Sequence, residues 1–290
     1  MDNRAAIREF LITRRAKLRP EDTGLPDFGG IRRVPGLRRE EVALLAGVSV
    51  EYYTRLERGG LAGVSDSVLD VLVRALRLDE AEREHLFDLA RAAGPAPKTA
   101  KRKRGQISPS LERLLDGMTG VPAFIRNGRL DILAINTLGQ MLYSEAFCHP
   151  GRPVNLARFC FLDDGAHRLY PDWSVAANTA VALLHTEAGR DPSDEGLTEL
   201  VGELNTKSPE FRRLWAKHDV RLHQSGYKDF RHPLVGDLHL SLDALELPAE
   251  AGLTLTAYSA EPNTPSEARM RRLAEHAFER QEDDAVGVSR

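Results

Sequence analysis

A cluster of cationic and hydrogen-bonding side chains in the segment 37–59 has the residue types and spacing that contact with nucleic acid requires. Apolar residues on both sides of Gly47 predict two short helices joined by a tight turn. The outer face of the second helix then carries, near its start, Val50, Glu51, Tyr52 and Arg55. An arginine can hold a guanine edge or a phosphate, a glutamate can accept from cytosine, and a valine can contact a thymine methyl group. The segment therefore predicts a helix-turn-helix whose second helix reads base edges.

Further cations are placed for contact with a phosphate backbone. Arg38 and Arg39 begin the first helix, where the helix N-terminus adds its own attraction for anions. Ser49 is expected to cap the second helix. Arg32 and Arg33, in the preceding loop, are candidates for phosphate or minor-groove contact, with a solvated loop as an equal alternative. The predicted DNA-binding residues are Arg32, Arg33, Arg38, Arg39, Ser49, Val50, Glu51, Tyr52 and Arg55.

An ordinary helical hairpin would also place two apolar helices around a glycine. Ala43 is small where the helices must cross closely, and two stretches have the spacing of the Cro/repressor type of helix-turn-helix, which this region resembles: Ala46-Gly-Val-Ser and Leu56-Glu-Arg-Gly. The following loop, Gly59-Gly60-Leu-Ala-Gly63, lacks the basic residues expected there. Phosphate anchoring by that loop is therefore in doubt.

Motifs typical of enzymes are absent from the sequence. It contains no G-x-S-x-G elbow, no H-E-x-x-H, no glycine-rich phosphate loop and no paired C-x-x-C. The spacing of the histidines in the second half matches no metal-ligand set, and Cys148 and Cys160 are expected to be inert thiols. We therefore predict neither an enzyme nor a metal or other cofactor site.

Charge is divided unevenly along the 290 residues. The net charge is −3, but residues 1–105 carry 21 Lys and Arg against 16 Asp and Glu, and the remainder carries 19 against 27. A basic front half and an acidic back half indicate different partners. No apolar run approaches the ~18 residues of a membrane span, so a soluble, cytoplasmic protein without membrane contact is expected.

The charge break coincides with a segment rich in Pro, Gly and cations, which predicts an exposed linker. We predict a helix-turn-helix domain at 1–93, a linker at 94–110, an α+β domain at 111–280 and a frayed tail at 281–290. The basic run 101–104 fits either a solvated charge run or a tether that contacts phosphate.

The periodicity of apolar residues changes between the two predicted domains. The front reads as about five helices without strands, hence an all-α domain. In the back, Asn127-Gly128 predicts a hairpin, followed by a helix over 137–147, helices over 173–218 broken near 190 and 207, strands over 238–243 and 253–258, and a last helix over 266–280. This order predicts an α+β domain with an antiparallel sheet.

Several stretches of the back half, together with the segment 33–59, resemble the actinobacterial MmyB-like regulators, which belong to the XRE type. They are Ile132-Leu-Ala-Ile-Asn, Arg168-Leu-Tyr-Pro-Asp-Trp, Glu187-Ala-Gly-Arg-Asp-Pro, Ser208-Pro-Glu-Phe-Arg-Arg-Leu-Trp, His232-Pro-Leu-Val-Gly-Asp-Leu and Tyr258-Ser-Ala-Glu-Pro. The resemblance covers roughly 4–275. It implies a double-stranded DNA operator, a homodimer, and a PAS-like sensor domain for an apolar or fatty-acid-like small molecule.

Aromatic and apolar residues of the back half are candidates for lining a ligand pocket, although plain core packing is the stronger expectation for each. Asn136 is expected to cap a helix and can also serve as a polar anchor. Arg212 can hold an acidic head group or form a surface salt bridge. The predicted ligand-binding residues are Phe124, Ile132, Asn136, Met141, Phe161, Trp173, Arg212 and Trp215.

Two classes of function remain open at this stage. One is a DNA-binding regulator that senses a small molecule, and the other is a DNA-binding regulator whose back domain is a protein-interaction or dimerisation module. An enclosed apolar cavity would favour the first, and a solid core with an exposed apolar patch would favour the second.

Overall fold

The computed structural model describes residues 3–25, 36–94, 107–148, 153–217, 225–250 and 252–287. Arg32, Arg33 and the basic run 101–104 lie outside the described residues. Contacts divide the chain into two compact units. Unit 1 comprises Met1–Thr99, Ala182–Val201 and Arg213–Leu222, and unit 2 comprises Ala100–Val181, Gly202–Arg212 and His223–Arg290. The units thus interleave along the chain, so the predicted boundaries at 93 and 111 stay a prediction.

Unit 1 begins with five helices and has no strand among its described residues. Their bounds are α1 Asn3–Lys17, α2 Arg39–Ala46, α3 Val50–Glu57, α4 Asp66–Ala75 and α5 Glu80–Ala93. Their apolar faces meet in one core, which includes Phe10, Leu37, Tyr53, Leu72 and Leu86. The predicted five-helix front is confirmed.

Unit 2 contains a five-stranded antiparallel sheet with helices between its second and third strands and after its last one. The strands are β1 Ala123–Asn127, β2 Ile132–Ile135, β3 Ser225–His232, β4 Gly236–Glu246 and β5 Leu253–Ser259. Their order in the sheet is β2-β1-β5-β4-β3, which places β2 and β3 at the two edges. The predicted α+β, PAS-like class is confirmed.

The other helices of the described residues follow the first five along the chain. They are α6 Pro109–Asp116, α7 Thr137–Leu142, α8 Leu156–Leu162, α9 Gly165–Leu169, α10 Trp173–Arg190, α11 Glu195–Lys207, α12 Pro209–Trp215 and α13 Pro265–Gly287. The breaks near 190 and 207 are as predicted. The helix predicted over 137–147 is shorter, because Ser144–Phe147 forms a 3-10 turn. The backbone stays helical to Gly287, within the tail that was predicted to fray.

The turn between β1 and β2 differs from the two-residue Asn-Gly turn that the sequence predicted. Asn127 Nδ2 donates to Asp131 Oδ2 (2.8 Å), and the Asp131 amide donates to Asn127 Oδ1 (3.0 Å), so the loop is longer. Leu130, rather than Gly128, adopts positive φ (67°), and its side chain is buried. Burial of Leu130 together with these side-chain hydrogen bonds outweighs the local preference of the Asn-Gly pair.

Candidate DNA-binding surface and candidate ligand site

The turn between α2 and α3 has the conformation that the sequence predicted. Gly47 ends α2 with φ 65°, and its amide donates to the carbonyl oxygens of Ala43 and Leu44. A side chain at this position would be strained because φ lies in the left-handed region. Ser49 caps α3, since its hydroxyl oxygen accepts from the Tyr52 amide (3.0 Å). The start of α3 is therefore fixed by local hydrogen bonds.

One face of α3 is buried against α2. Tyr53 and Leu56 are fully buried, and they belong to the same core as Val42 and Ala43. The small side chain of Ala43 lets the two helices approach closely. This packing determines which side chains α3 presents outward.

The opposite face of α3 carries the predicted base-reading residues. Ser49, Val50, Glu51 and Arg55 are exposed, and Tyr52 is half-buried. The Arg55 guanidinium lies over the Tyr52 ring, 4.7 Å from its centroid. This cation–π contact orients the arginine without neutralising its charge. The structure thus brings the five predicted residues of α3 and its cap together on one surface.

Two cations that the sequence analysis missed border the same surface. A groove of about 520 Å³ is lined by Val50, Glu51, Thr54, Arg55, Gly59 and Gly60 of the α3 region and by Arg4 and Arg58. Arg4 comes from the start of α1, so no motif of residues 37–59 indicates it. The loop after α3 lacks cations, but Arg4 and Arg58 supply positive charge beside it. We call this set Arg4, Arg55 and Arg58 the cationic rim.

The position of Gly59 keeps α1 against the end of α3. Gly59 has φ 96°, and a Cβ there would lie 2.9 Å from Arg4 backbone atoms.

Gly59→Ala is expected to reduce the free energy of unfolding by about 2 kcal/mol or more, because it combines backbone strain with a backbone clash. Gly63→Ala is the matched control, since Gly63 has φ 71° but nothing within 4 Å. Equal losses in urea denaturation of the two variants would contradict the close approach.

Arg39 is exposed, but part of its guanidinium is engaged within the protein, and its predicted contact with phosphate stays a prediction. Its Nη2 atom is 2.7 Å from Glu57 Oε1, and Arg15 Nε is 2.8 Å from Glu57 Oε2. Glu57 is buried, with a side-chain exposed fraction of 1%. Burial raises the pKa of Glu57, but the ion pairs with Arg15 and Arg39 outweigh burial and hold that pKa below its ordinary value. Arg39 thus has a structural task that its position in the sequence did not reveal.

Arg38 precedes α2 as its N-cap. Its backbone amide donates to Glu41 Oε2 (2.6 Å), which satisfies one of the amides at the helix start. Contact of the Arg38 side chain with DNA stays a prediction.

Most of the predicted ligand-binding aromatic and apolar residues lie together in unit 2. Phe124, Ile132 and Met141 belong to one buried core, and Trp173 packs against it. Phe161 makes an edge contact with the Trp173 ring, with centroids 5.8 Å apart. The Trp173 indole also stacks on His167 (4.7 Å) and donates from Nε1 to the Cys160 carbonyl oxygen. These residues pack against one another, which is the core arrangement that the sequence analysis favoured.

Two predicted ligand-binding residues lie elsewhere. Arg212 is exposed and donates from Nε and Nη2 to the Asn205 carbonyl oxygen (2.9 and 2.7 Å). Trp215 belongs to unit 1, where its ring stacks on His185 with centroids 3.7 Å apart. Neither residue is a member of the buried core that contains Phe124.

Asn136 is a helix cap whose polar atoms are all engaged. Its Oδ1 accepts from the amides of Ala123 and Gly139, and its Nδ2 donates to the carbonyl oxygens of Met118 and Val121. The predicted cap is confirmed. A groove beside it measures about 150 Å³, below the roughly 300–1,000 Å³ of typical ligand pockets. Asn136 therefore has no hydrogen-bonding capacity left for a ligand in this arrangement.

Lys228 on β3 is the polar residue of unit 2 best suited to anchor a ligand. It was not among the residues predicted from the sequence. Its Nζ lies 4.6 Å from the Tyr170 ring centroid and donates to Tyr143 Oη (3.2 Å). The Tyr143 and Tyr258 hydroxyls are 2.6 Å apart. The alternation of residues along β3 could have indicated Lys228, because it lies on the same face of the strand as the buried Phe230 and His232.

Other titratable residues of unit 2 are buried or hydrogen-bonded within the protein. Burial raises the pKa of the Cys160 thiol to about 12, as expected for an inert cysteine. His232 donates from Nε2 to the Met141 carbonyl oxygen (2.8 Å).

Within the described ranges, no group of three or more His, Cys, Asp and Glu side chains is placed to hold a metal ion. Within the same ranges, no helix is both long enough and apolar enough to cross a membrane.

Comparison with known protein families adds two matches. A model described as the MmyB-like transcription regulator ligand binding domain matches residues 107–273, more than half of the chain. A model described as a helix-turn-helix domain matches residues 11–86. No curated protein matches the chain.

Proposed function

The chain belongs to the MmyB-like transcription regulators, and from this premise we propose that it binds a specific DNA operator as a homodimer and senses an apolar or fatty-acid-like small molecule. Its helix-turn-helix domain makes it a DNA-binding regulator, and its second domain is a ligand-binding domain. The operator, the dimer and the apolar character of the ligand are our proposal, as is action in the cytoplasm.

The observation that carries the DNA-binding half is the outer face of α3. Val50, Glu51 and Arg55 are exposed together at the start of a capped helix, and the cationic rim lies beside them. A helix with this face can enter the major groove while the arginines contact phosphate. In a homodimer, two such helices would meet half-sites about 34 Å apart.

The sensing half rests on the ligand-binding family and on the aromatic core of unit 2. Ligand can change DNA affinity only by binding two states of the protein with different affinity. The described core is packed, so an occupant would displace side chains such as Trp173, which is half-buried at its edge. We propose that this displacement is the event that the regulator senses.

A protein-interaction role for unit 2 is the second candidate, and an exposed apolar set favours it. The residues are Tyr227, Leu234 and Leu245, on or beside β3 and β4, each more than half exposed. An interaction role would require exposed apolar residues such as these to belong to a continuous surface patch.

Native mass spectrometry of the purified protein, combined with DNA-binding titrations, tests the proposal. The expected result is a dimer that carries a small lipid-like molecule and whose operator affinity changes when that molecule is extracted. A ligand-free dimer whose affinity does not respond to extraction or to added lipid would favour the protein-interaction candidate. If selection from a random DNA library yields no sequence that the protein binds, the DNA-binding half of the proposal is overturned.

Arg55→Ala is expected to reduce operator affinity by about tenfold and to relax base preference, because it removes one base or phosphate contact of ~1–3 kcal/mol. The fold should persist, since Arg55 is exposed. Fluorescence anisotropy with selected and random DNA measures both effects. Arg74→Ala, an exposed cation at the end of α4, is the matched control and should leave affinity nearly unchanged. Equal loss in both variants would indicate a general charge effect instead.

A further inference from the structure

Lys228 is a cation enclosed by the aromatic core of unit 2. The rings of Tyr143, Tyr170 and Phe230 surround its Nζ atom, with centroids 5.6, 4.6 and 5.4 Å away. Within the described part of the chain, its hydrogen bond is to the Tyr143 hydroxyl, which is a neutral group. Among the described residues, no Asp or Glu forms an ion pair with Lys228.

A buried charge without a counter-ion is costly, and proteins normally pair it or replace it. Burial lowers the pKa of Lys228 to about 8. The neighbouring Cys160 opposes this shift, and the Arg126 charge acts in the same direction as burial. Cation–π contacts offset part of this cost, but they do not neutralise the ammonium. No described carboxylate offsets this charge, so the site would gain from the carboxylate of a bound ligand.

The edge of the sheet is the route by which a ligand would have to reach the site. β3 is an edge strand, and Lys228 is half-buried while Phe230 beside it is fully buried. An acid that entered from this edge could place its apolar part against the Phe124–Tyr143–Phe230 core. One of the Tyr143 and Tyr258 hydroxyls could then donate to the second carboxylate oxygen, because the other donates within the pair.

We propose that Lys228 is the residue that selects an acidic ligand, by pairing its ammonium with the ligand carboxylate. This inference rests on the proposed sensing function and names the head-group chemistry of the same site. It replaces Arg212, which lies away from the aromatic core and is engaged with Asn205.

Chain-matched acids and alcohols test the proposal on the full-length protein. The probes are hexanoate, dodecanoate and hexadecanoate with the corresponding alcohols, measured by calorimetry at pH 7. An acid of the preferred length should bind at least about tenfold more tightly than its alcohol, which is the expected size of a charge-assisted contact. K228M should abolish this difference and leave alcohol binding within about twofold.

The pH dependence of acid binding provides a second test, because a lysine with only a structural role would not affect it. As Lys228 loses its proton, affinity for the acid should fall about tenfold between pH 7 and pH 9. K228R should keep the preference for acids and lose this decline. The other titratable or charged groups that face the amine do not change charge in this range: Tyr143, Tyr170, Tyr258, Cys160 and Arg126.

Two controls separate the proposal from general effects. Lys207→Met removes an exposed lysine of the same unit and should leave acid affinity within about twofold. The Tm of ligand-free K228M should equal or exceed that of the native protein, because the change removes an unpaired buried charge. A lower Tm would show that the ammonium stabilises the empty core, and it would count against the proposal.

Failure of the inference and failure of the proposed function give different results. Equal binding of acid and alcohol, or native acid affinity in K228M, would overturn the role of Lys228 and leave apolar sensing in place. Absence of binding for every probe would overturn both.

Discussion

Replacing Glu57 by glutamine is expected to lower the free energy of unfolding of unit 1 by about 3–5 kcal/mol. The carboxylate is buried and joins Arg15 of α1 to Arg39 at the start of α2, while Glu57 itself ends α3. The amide would leave two guanidinium groups without their counter-charge. Urea denaturation at pH 7 measures the loss. Glu51→Gln, on the exposed face of the same helix, is the control and should change stability by less than about 0.5 kcal/mol.

The same ion pairs make the stability of unit 1 depend on pH. Because the folded pKa of Glu57 lies below its ordinary value of 4.5, its contribution is fully present above pH 4.5. The contribution is lost as pH falls through the folded pKa. Native protein should therefore lose more stability below pH 4.5 than Glu57→Gln does. Parallel acid dependence in the two proteins would contradict the assignment.

The second large effect is expected at Asn136. Asn136→Ala would leave two amides and two carbonyl oxygens without their partners, which should cost unit 2 at least about 3 kcal/mol. Asn136→Asp should be similarly damaging, since a carboxylate would face the carbonyl oxygens of Met118 and Val121. Thermal unfolding and urea denaturation measure both changes.

A half-buried asparagine in the same unit provides the comparison. Asn178 makes one side-chain hydrogen bond, to the Ser174 carbonyl oxygen, so Asn178→Ala should cost less than about 1 kcal/mol. An Asn136→Ala protein with native stability but lost ligand binding would mean that Asn136 is a ligand anchor, as one reading of the sequence allowed.

The helix-turn-helix was predictable to a residue or two because its signals are local. Gly47, the Ser49 cap and the buried parity of Tyr53 and Leu56 are set by neighbours within one turn of helix. The role of Arg39 was not predictable, because its partner Glu57 lies 18 residues away and no alternation in the sequence marks a buried glutamate. Interactions across a fold decide whether a cation is available to DNA.

The sensor domain shows the same limit. β4 and β5 alternate cleanly and were predicted, whereas β3 was missed because Lys228, Asp229 and Arg231 make it look polar. The β1–β2 hairpin was predicted, but the turn depends on Asn127 and Asp131 side chains. Of the candidate pocket residues, Phe124, Ile132 and Met141 share one core, whereas Trp215 stacks on His185 in unit 1 and Arg212 donates to the Asn205 carbonyl oxygen.

The two tryptophans of the chain lie in different units, and each stacks on a histidine: Trp173 on His167 in unit 2, and Trp215 on His185 in unit 1. The molecule thus carries one tryptophan fluorophore for each unit. Single-tryptophan forms of the protein would report separately on the emission of each unit, without an attached dye. Occupancy of the aromatic core and melting of unit 1 would then be spectroscopically distinct events within one polypeptide.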